Sequence, residues 1–448
     1  MKKFQDKSAA LSPQKLKTQC ANAEKALSTI FYAVFGEKKV LDRTLSAYFR
    51  NNRQLGSRDR QLISEGIYAV FRHLGIIIKL LSPAEQKILL TEGNISDSAQ
   101  LGKMLYCALL LSQCRFAAMD FWFKNENAPK INPALSIREQ GNALLKFFRI
   151  PKVLTDNDFI PATLTELFSP SVDAQKYMEL IHRRPPMWLR IQGDKKAICD
   201  EFDANSLAYT QHPLLEDALS LYRPKVNLRT LKTFQNGLFE VQDAASQLIG
   251  KICAPRKNYR VLDLCAGAGG KTLQLASMME RKGTVVACDI REYKLQELKL
   301  RARRAGFPNI QCKPYDGKEL KKNYKMNFDL VLVDAPCSCS GVWRRNPDGI
   351  FTFDKAELEE ITAIQSQLLD YAAEGVKHEG YLVYATCSVF AAENENIVND
   401  FLKRHEEYRI VKFENPLKKG EICENGMFQC DMDILDSDSM FVAKLQRK

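Results

Sequence analysis

No stretch of this sequence stays apolar long enough to cross a membrane. Its longest apolar runs, GIIIKLL and YCALLL, fall far short of the ~20 residues that a spanning helix requires. The basic start MKKFQDKSAALSPQKLK has no apolar segment behind it, so neither export nor membrane attachment is expected. Internal repeats and low-complexity tracts are missing too, which sets aside solenoids and disordered arrays. The thirteen cysteines follow no regular spacing. In a long chain without an export signal they read as reduced thiols of a cytoplasmic protein rather than as a disulfide framework. A reduced thiol can serve as a nucleophile.

What is present is apolar content, 45% of 448 residues, sufficient for two or three separate cores. The formal charge of +11 is unevenly placed: residues 1–150 hold 23 Lys and Arg against 12 Asp and Glu, whereas 151–448 balance at 42 against 42. Inside the balanced part, 251–345 carries 20 basic and 9 acidic residues. Two basic regions suit a polyanionic partner that touches both, although charge alone fits a merely soluble basic protein equally well.

In the first 150 residues Gly and Pro are sparse and nothing alternates with period two, so helices alone are expected. AEKALSTIFYAVF, VLDRTLSAYFRNN and SRDRQLISEGIYAVFRHL space apolar residues by three and four, with Ser57 as the N-cap of the third. Arg58 and Arg60 fit a solvated helix face as well as an RNA contact. Residues 151–245 read as a linker and a small α/β module of ferredoxin-like type: a helix at VDAQKYMELIHRR, a strand at MWLRIQ, a helix at KKAICDEFDAN, and strands near 219 and 238. From 246 to 448 strands and helices alternate, which argues a doubly wound, mostly parallel sheet. The expected strands are YRVLDLC, TVVACDI, NIQCKPYD, FDLVLVDA and GYLVYATC, with YRIVKF and SMFVAKLQR finishing the sheet.

DLCAGAGGKT, residues 263–272, follows the first of these strands and opens a helix. Its glycines at 267, 269 and 270 let the backbone pass close to a ligand, and Cys265 occupies the position where a phosphate loop requires glycine. Asp289 ends the second strand, placed to accept ribose hydroxyls, and Asp316 ends the third, near an adenine edge. Each aspartate alone fits a cap or turn residue better than a ligand contact. Asp263, Asp289, Asp316, Asp334 and Cys387 together all map to strand carboxyl ends, where open α/β sheets bind ligands, and that predicts one cleft for a nucleoside without a polyphosphate.

Two cysteine motifs complete the pattern: DAPCSCSGVWRRNPD at 334–348 and YATCSVF around Cys387. With DLCAGAGGKT they resemble the three signature motifs of the S-adenosylmethionine-dependent RNA cytosine-5 methyltransferases of the Sun/RsmB-like group. The resemblance covers about 170–448, and the basic helical start resembles the NusB-like domain of many members. Where the family usually has CAAPGGKT, Gly267 and Ala268 stand for Ala and Pro, a change expected to alter loop stiffness rather than chemistry. SDSMFVAKLQR replaces a more usual Asp-Gly-Phe-Phe ending.

The resemblance implies a multidomain α and α/β protein: a helical NusB-like domain over 1–150, the ferredoxin-like module over 151–245, and a Rossmann-like class I methyltransferase over 246–448. It implies S-adenosylmethionine as cofactor, held by Cys265, Ala266, Gly267, Ala268, Gly269, Gly270, Lys271, Asp289, Asp316 and Asp334. It implies that Cys387 adds to carbon 6 of cytosine, that Asp334 meets ring nitrogen 3, and that Cys337 serves the release step. The expected partner is a structured RNA, ribosomal before transfer RNA, and the expected state is a monomer. A DNA cytosine-5 methyltransferase attacks with the PC cysteine and has no need of Cys387. A noncatalytic RNA-binding assembly factor has no need of either cysteine.

Most other thiols, such as Cys107, Cys253 and Cys288, read as small buried hydrophobes. Cys339 pairs with Cys337 as C-x-C, yet neither a second pair nor a nearby His completes a zinc site, and no metal is expected. Trp343, Arg344 and Arg345 fit core and solvated face, or a stacking and phosphate surface beside an extruded base; their place after the cysteine turn favours contact.

Overall fold

Apolar residues spaced by three and four wind the first part of the chain into helices, as expected from the sequence. The structure, a computed structural model, describes residues 12–124, 128–222, 224 and 226–448, so the basic start at 1–11 lies outside it. The described residues form two compact units. In the first, helices Pro13–Phe31, Leu41–Asn51, Ser57–Arg72 and Ser98–Leu111 bury one face each around Leu27, Phe31, Phe35, Ile67, Phe71 and Leu105. The Phe35 and Phe71 rings stack at 5.8 Å. The third helix is capped differently from expectation: Gly56 is its N-cap, and the Asp59 carboxylate accepts the Gly56 N–H at 3.3 Å, leaving Ser57 inside the first turn. Arg60 donates to the carbonyls of Phe49, Leu55 and Asn52, a structural role.

Two later segments, 174–184 and 343–353, belong to this first unit. His182, on the helix-end of the former, lies buried against His73 with facing Nδ1 atoms 3.2 Å apart. Trp343 and Arg344 are both 2% exposed. The Arg344 Nε donates to the Arg183 carbonyl at 2.9 Å. This corrects the expected contact surface: Trp343 is core, and Arg344 spends its donors on backbone carbonyls, so neither is presented for base stacking or phosphate.

In the second unit a four-stranded antiparallel sheet comes first: β1 (Met187–Ile191), β2 (Tyr209–Gln211), β3 (Ala218–Leu221) and β4 (Phe239–Val241), in the order β2-β3-β1-β4. This is the ferredoxin-like order, with Leu189, Ile198, Phe202, Leu219 and Phe239 as its core. β2 escaped the sequence reading because three residues, YTQ, at a sheet edge carry no alternation.

The larger sheet is built from β5 (Arg260–Asp263), β6 (Thr284–Asp289), β7 (Ile310–Pro314), β8 (Phe328–Asp334), β9 (Val376–Thr386) and β10 (Tyr408–Ile410). A short ribbon of β11 (Phe413–Glu414) and β12 (Ile422–Cys423) stands apart, and β13 (Met427–Gln429) and β14 (Phe441–Arg447) complete the chain. The order is β10-β14-β9-β8-β5-β6-β7, with β9, β8, β5, β6 and β7 parallel and β13 paired to β14. Strands buried on both faces read as continuous apolar runs such as FDLVLVD, which is why this part was legible. The chain reverses its direction of travel between β5 and β8, and in such sheets the crevice at that switch point, beyond the strand ends, takes the ligand. Among the described residues no helix is long and apolar enough to cross a membrane.

Candidate active site

β8 and β9 run parallel and adjacent, so the turns that follow them emerge side by side. Asp334 ends β8, and the Ala335 N–H donates to the Ala385 carbonyl of β9 at 2.9 Å. The two turns are then sewn together: Gly341 N–H to the Cys387 carbonyl at 2.9 Å, and Val389 N–H to the Ser340 hydroxyl at 2.9 Å. Glycine is required at 341, because a Cβ there would stand 2.1 Å from the Ser439 carbonyl oxygen. The outcome is that Cys337 and Cys387, fifty residues apart, bring their sulfurs to 3.3 Å.

Beneath the turns lies Glu393, fully buried. Its Oε1 accepts from the Ser338 N–H at 2.7 Å and from Gln365 Nε2 at 3.0 Å, while its Oε2 accepts from the hydroxyls of Ser338 and Ser388. Each serine directly follows one of the two cysteines. One carboxylate therefore fixes both thiol-bearing turns.

The Asp334 carboxylate accepts from the buried Lys271 ammonium at 2.8 Å. Burial works to lower the Lys271 pKa, but the charge and hydrogen bond of Asp334 and the charge of Cys387 outweigh it and raise it. Lys271 is thus a lasting positive charge that favours the thiolate form of Cys387. Donating to Cys337 and Cys339, together with burial, pushes the Cys387 thiol up, whereas accepting from Cys337 and Cys387 holds the Cys339 thiol low.

Beside this lies the glycine loop. Gly267 and Gly269 have φ of +53° and +85°, the left-handed region that glycine enters without penalty. Gly269 caps helix Gly270–Met278, and its N–H donates to the Ala266 carbonyl at 2.9 Å. The Ala266 N–H donates to the Cys288 carbonyl, and Arg301, held by Glu240, donates to the Ala268 carbonyl at 2.7 Å. Hydrogen bonds thus hold the loop at the position where the family usually has proline. Cys265 is partly buried behind it, and burial raises its thiol pKa.

Asp289, at the end of β6, accepts the Gly267 N–H at 2.8 Å and the Arg291 N–H at 2.8 Å. Burial works to raise this carboxyl, but the donors of Arg291 and Gly267 prevail and hold it below the usual range. Asp263, at the end of β5, differs. Its Oδ2 accepts from the Thr272 hydroxyl at 2.6 Å, while its Oδ1 is buried with no hydrogen-bond partner among the described residues. Burial raises its pKa to about 7, partly opposed by the Thr272 hydrogen bond. Asp316 sits apart from these carboxylates on an exposed turn, where its Oδ1 accepts the Lys318 N–H at 3.2 Å. Structure therefore gathers Asp263, Asp289, Asp334, Lys271, Cys337 and Cys387 around the strand ends, with Asp316 at the rim.

Residues 251–446 match the family described as 16S rRNA methyltransferase RsmB/F. Over that region the chain is similar to the RsmB/F family. Among curated relatives, the probable ribosomal RNA small subunit methyltransferase B of Bacillus subtilis (strain 168) is 30% identical over 276 residues, 60% of this chain and 61% of that protein. Ribosomal RNA small subunit methyltransferase B of Serratia proteamaculans (strain 568) is 31% identical over 275 residues, 60% of this chain and 62% of its own length. The chain thus spans about three-fifths of these relatives, 61% and 62%. Among solved structures, PH0851 matches with a TM-score of 0.72 at 21% identity, covering 95% of this chain and 99% of that one. NSun6 from Pyrococcus horikoshii with SFG matches with a TM-score of 0.55 at 18% identity, covering 65% of this chain and 96% of that one. These likenesses show that the RsmB/F region and its helical companion share a known fold.

Proposed function

We propose that this protein transfers a methyl group from S-adenosylmethionine to carbon 5 of a cytosine in structured RNA, 16S ribosomal RNA before transfer RNA. The observation that carries the reading is the 3.3 Å approach of Cys337 and Cys387 beside the Lys271–Asp334 pair. A noncatalytic RNA binder has no use for two thiols converging beside a half-buried ion pair.

The residues present fit the cofactor. The unpartnered Asp263 Oδ1 is a buried acceptor awaiting a donor, such as an amino group. Asp289 offers a carboxylate to a ribose diol, and Ile290, 69% exposed directly after it, offers an apolar face to an adenine ring. Gly267 and Gly269 open the backbone to close approach. When bound, S-adenosylmethionine supplies an electrophilic methyl group.

Carbon 5 of cytosine is too weak a nucleophile to take that methyl group unaided. Cys387, as thiolate, adds to carbon 6 and turns the ring into an enamine whose carbon 5 can attack. Negative charge developing toward ring nitrogen 3 is neutralised by a proton that passes there from the Lys271 ammonium through Asp334 and returns when Cys387 leaves. After transfer the proton on carbon 5 leaves to a base, the role given to Cys337, and the electron pair expels Cys387. On this reading residues 1–150 and 151–245 bind RNA, residues 246–448 perform the transfer, and the protein acts as a monomer.

The test is transfer of labelled methyl from S-adenosylmethionine by the purified chain to RNA fractions, followed by bisulfite sequencing of the labelled fraction. Transfer that leaves every cytosine convertible would defeat the assignment. Asp289→Ala should weaken cofactor binding by roughly 1.5–3 kcal/mol, about 10- to 150-fold, for loss of a charged hydrogen-bond acceptor. Calorimetry on a folded Asp289→Ala protein with unchanged affinity would remove this residue from the cofactor site.

A further inference from the structure

The C-x-C pair that looked incomplete in the sequence acquires a third thiol on folding. The sulfurs of Cys337, Cys339 and Cys387 all lie within 4.8 Å of one another, and those of Cys337 and Cys387 are 3.3 Å apart. A metal ion holding thiolates at about 2.3 Å sets its sulfurs about 3.8 Å apart, so small side-chain adjustments suffice to place all three around one centre. Thiolates select soft or borderline ions such as zinc(II).

The third thiol is also held in place against a backbone cost. Cys339 sits at φ +57°, in the left-handed region where an L side chain is disfavoured and glycine is free. It is exposed, unlike the other two, so the cluster opens to solvent on that side. That leaves a fourth position for water, as in zinc sites with three protein ligands. Lys271, bonded to Asp334 and electrostatically coupled to Cys387, offsets part of the negative charge of three thiolates.

We propose that Cys337, Cys339 and Cys387 form a trithiolate site for a thiophilic divalent ion of the zinc class, and that the ion, by occupying Cys387, reversibly switches the thiol chemistry off. Binding exchanges thiol protons, released to solvent, for metal–sulfur bonds, with no change of oxidation state. Binding itself stands on the geometry alone; only the switching rests on the methyltransferase reading.

The test uses the full-length chain reduced with a phosphine, dialysed against buffered zinc(II), with metal content measured directly. One zinc per chain is expected at micromolar free metal, together with loss of thiol alkylation at Cys387. Cys339→Gly removes the third ligand and relieves the strained φ, so its fold is not in question. It should lose more than the roughly 10–100-fold in affinity that follows removal of an outer-shell partner of a metal ligand. Cys339→Ser should behave likewise. In transfer assays both variants should keep basal activity and resist zinc, while the parent chain is inhibited and a chelator restores it. Sub-stoichiometric zinc, or equal affinity in Cys339→Gly, overturns the site; bound zinc with Cys387 still alkylated overturns its ligand set. A parent chain that binds zinc but transfers no methyl group leaves the site standing and defeats the function reading instead.

Discussion

Cys387→Ala should abolish methyl transfer and every covalent RNA adduct, whereas Cys337→Ala should leave RNA trapped on Cys387. Without a thiol at 387 nothing adds to carbon 6 and no enamine forms, so the loss should reach at least roughly 10⁴-fold, the scale seen when a nucleophile is removed. With a thiol at 387 but none at 337, addition and transfer proceed and release stalls. A denaturing gel should then show a slow band that requires target RNA and vanishes with nuclease. The double variant should show no such band. Lys271 distinguishes the two sulfurs although they are 3.3 Å apart: its ammonium, bonded to Asp334, acts on the charge of Cys387 and opposes the rise that burial and the neighbouring thiols impose on that thiol. In a mechanism of the DNA type the dependence reverses, and the trapped band would need Cys337. An adduct formed by Cys387→Ala on its proper RNA rejects the assignment of roles.

The parallel core of the sheet was legible because β5, β6, β8 and β9 are buried on both faces and carry apolar runs that end in Asp263, Asp289, Asp334 and Cys387. Strand ends are local features, so the residues that the structure brings together there could be listed before any packing was known. What packing decides stayed hidden. WRR after the cysteine turn has the composition of an RNA contact, yet Trp343 and Arg344 are buried in the helical unit, a fate set by residues far away in the chain. Short strands such as β2 and β12 lack the length to show a period. Cys339 counted as half of a pair until β9 delivered Cys387 to it.

Glu393 is the residue that sequence alone undervalued most, and its replacement should have the largest effect on stability around the site. Glu393→Ala strips acceptors from four groups at once: the Ser338 N–H and hydroxyl, the Ser388 hydroxyl, and Gln365 Nε2. The hydroxyls can turn to Ser340, which already lies 3.1 Å from Ser338 Oγ and 3.0 Å from Ser388 Oγ. Gln365 retains the Pro336 carbonyl at 2.9 Å. The Ser338 N–H has no such substitute, and a buried donor left unsatisfied costs about 1–3 kcal/mol, with the emptied volume adding to it. A total of roughly 2–4 kcal/mol should appear as a lower denaturant midpoint. Activity should fall further than folding does, because Ser338 and Ser388 set the positions of Cys337 and Cys387. A displacement of about 1 Å at reacting groups is worth roughly a hundredfold in rate. Glu393→Gln separates the two effects. Its carbonyl oxygen keeps the Ser338 N–H and Gln365, and its amide faces two hydroxyls able to accept, so both stability and transfer should stay near those of the parent. If Glu393→Ala transfers methyl groups at the parental rate while folded, the buried carboxylate does not position the thiols.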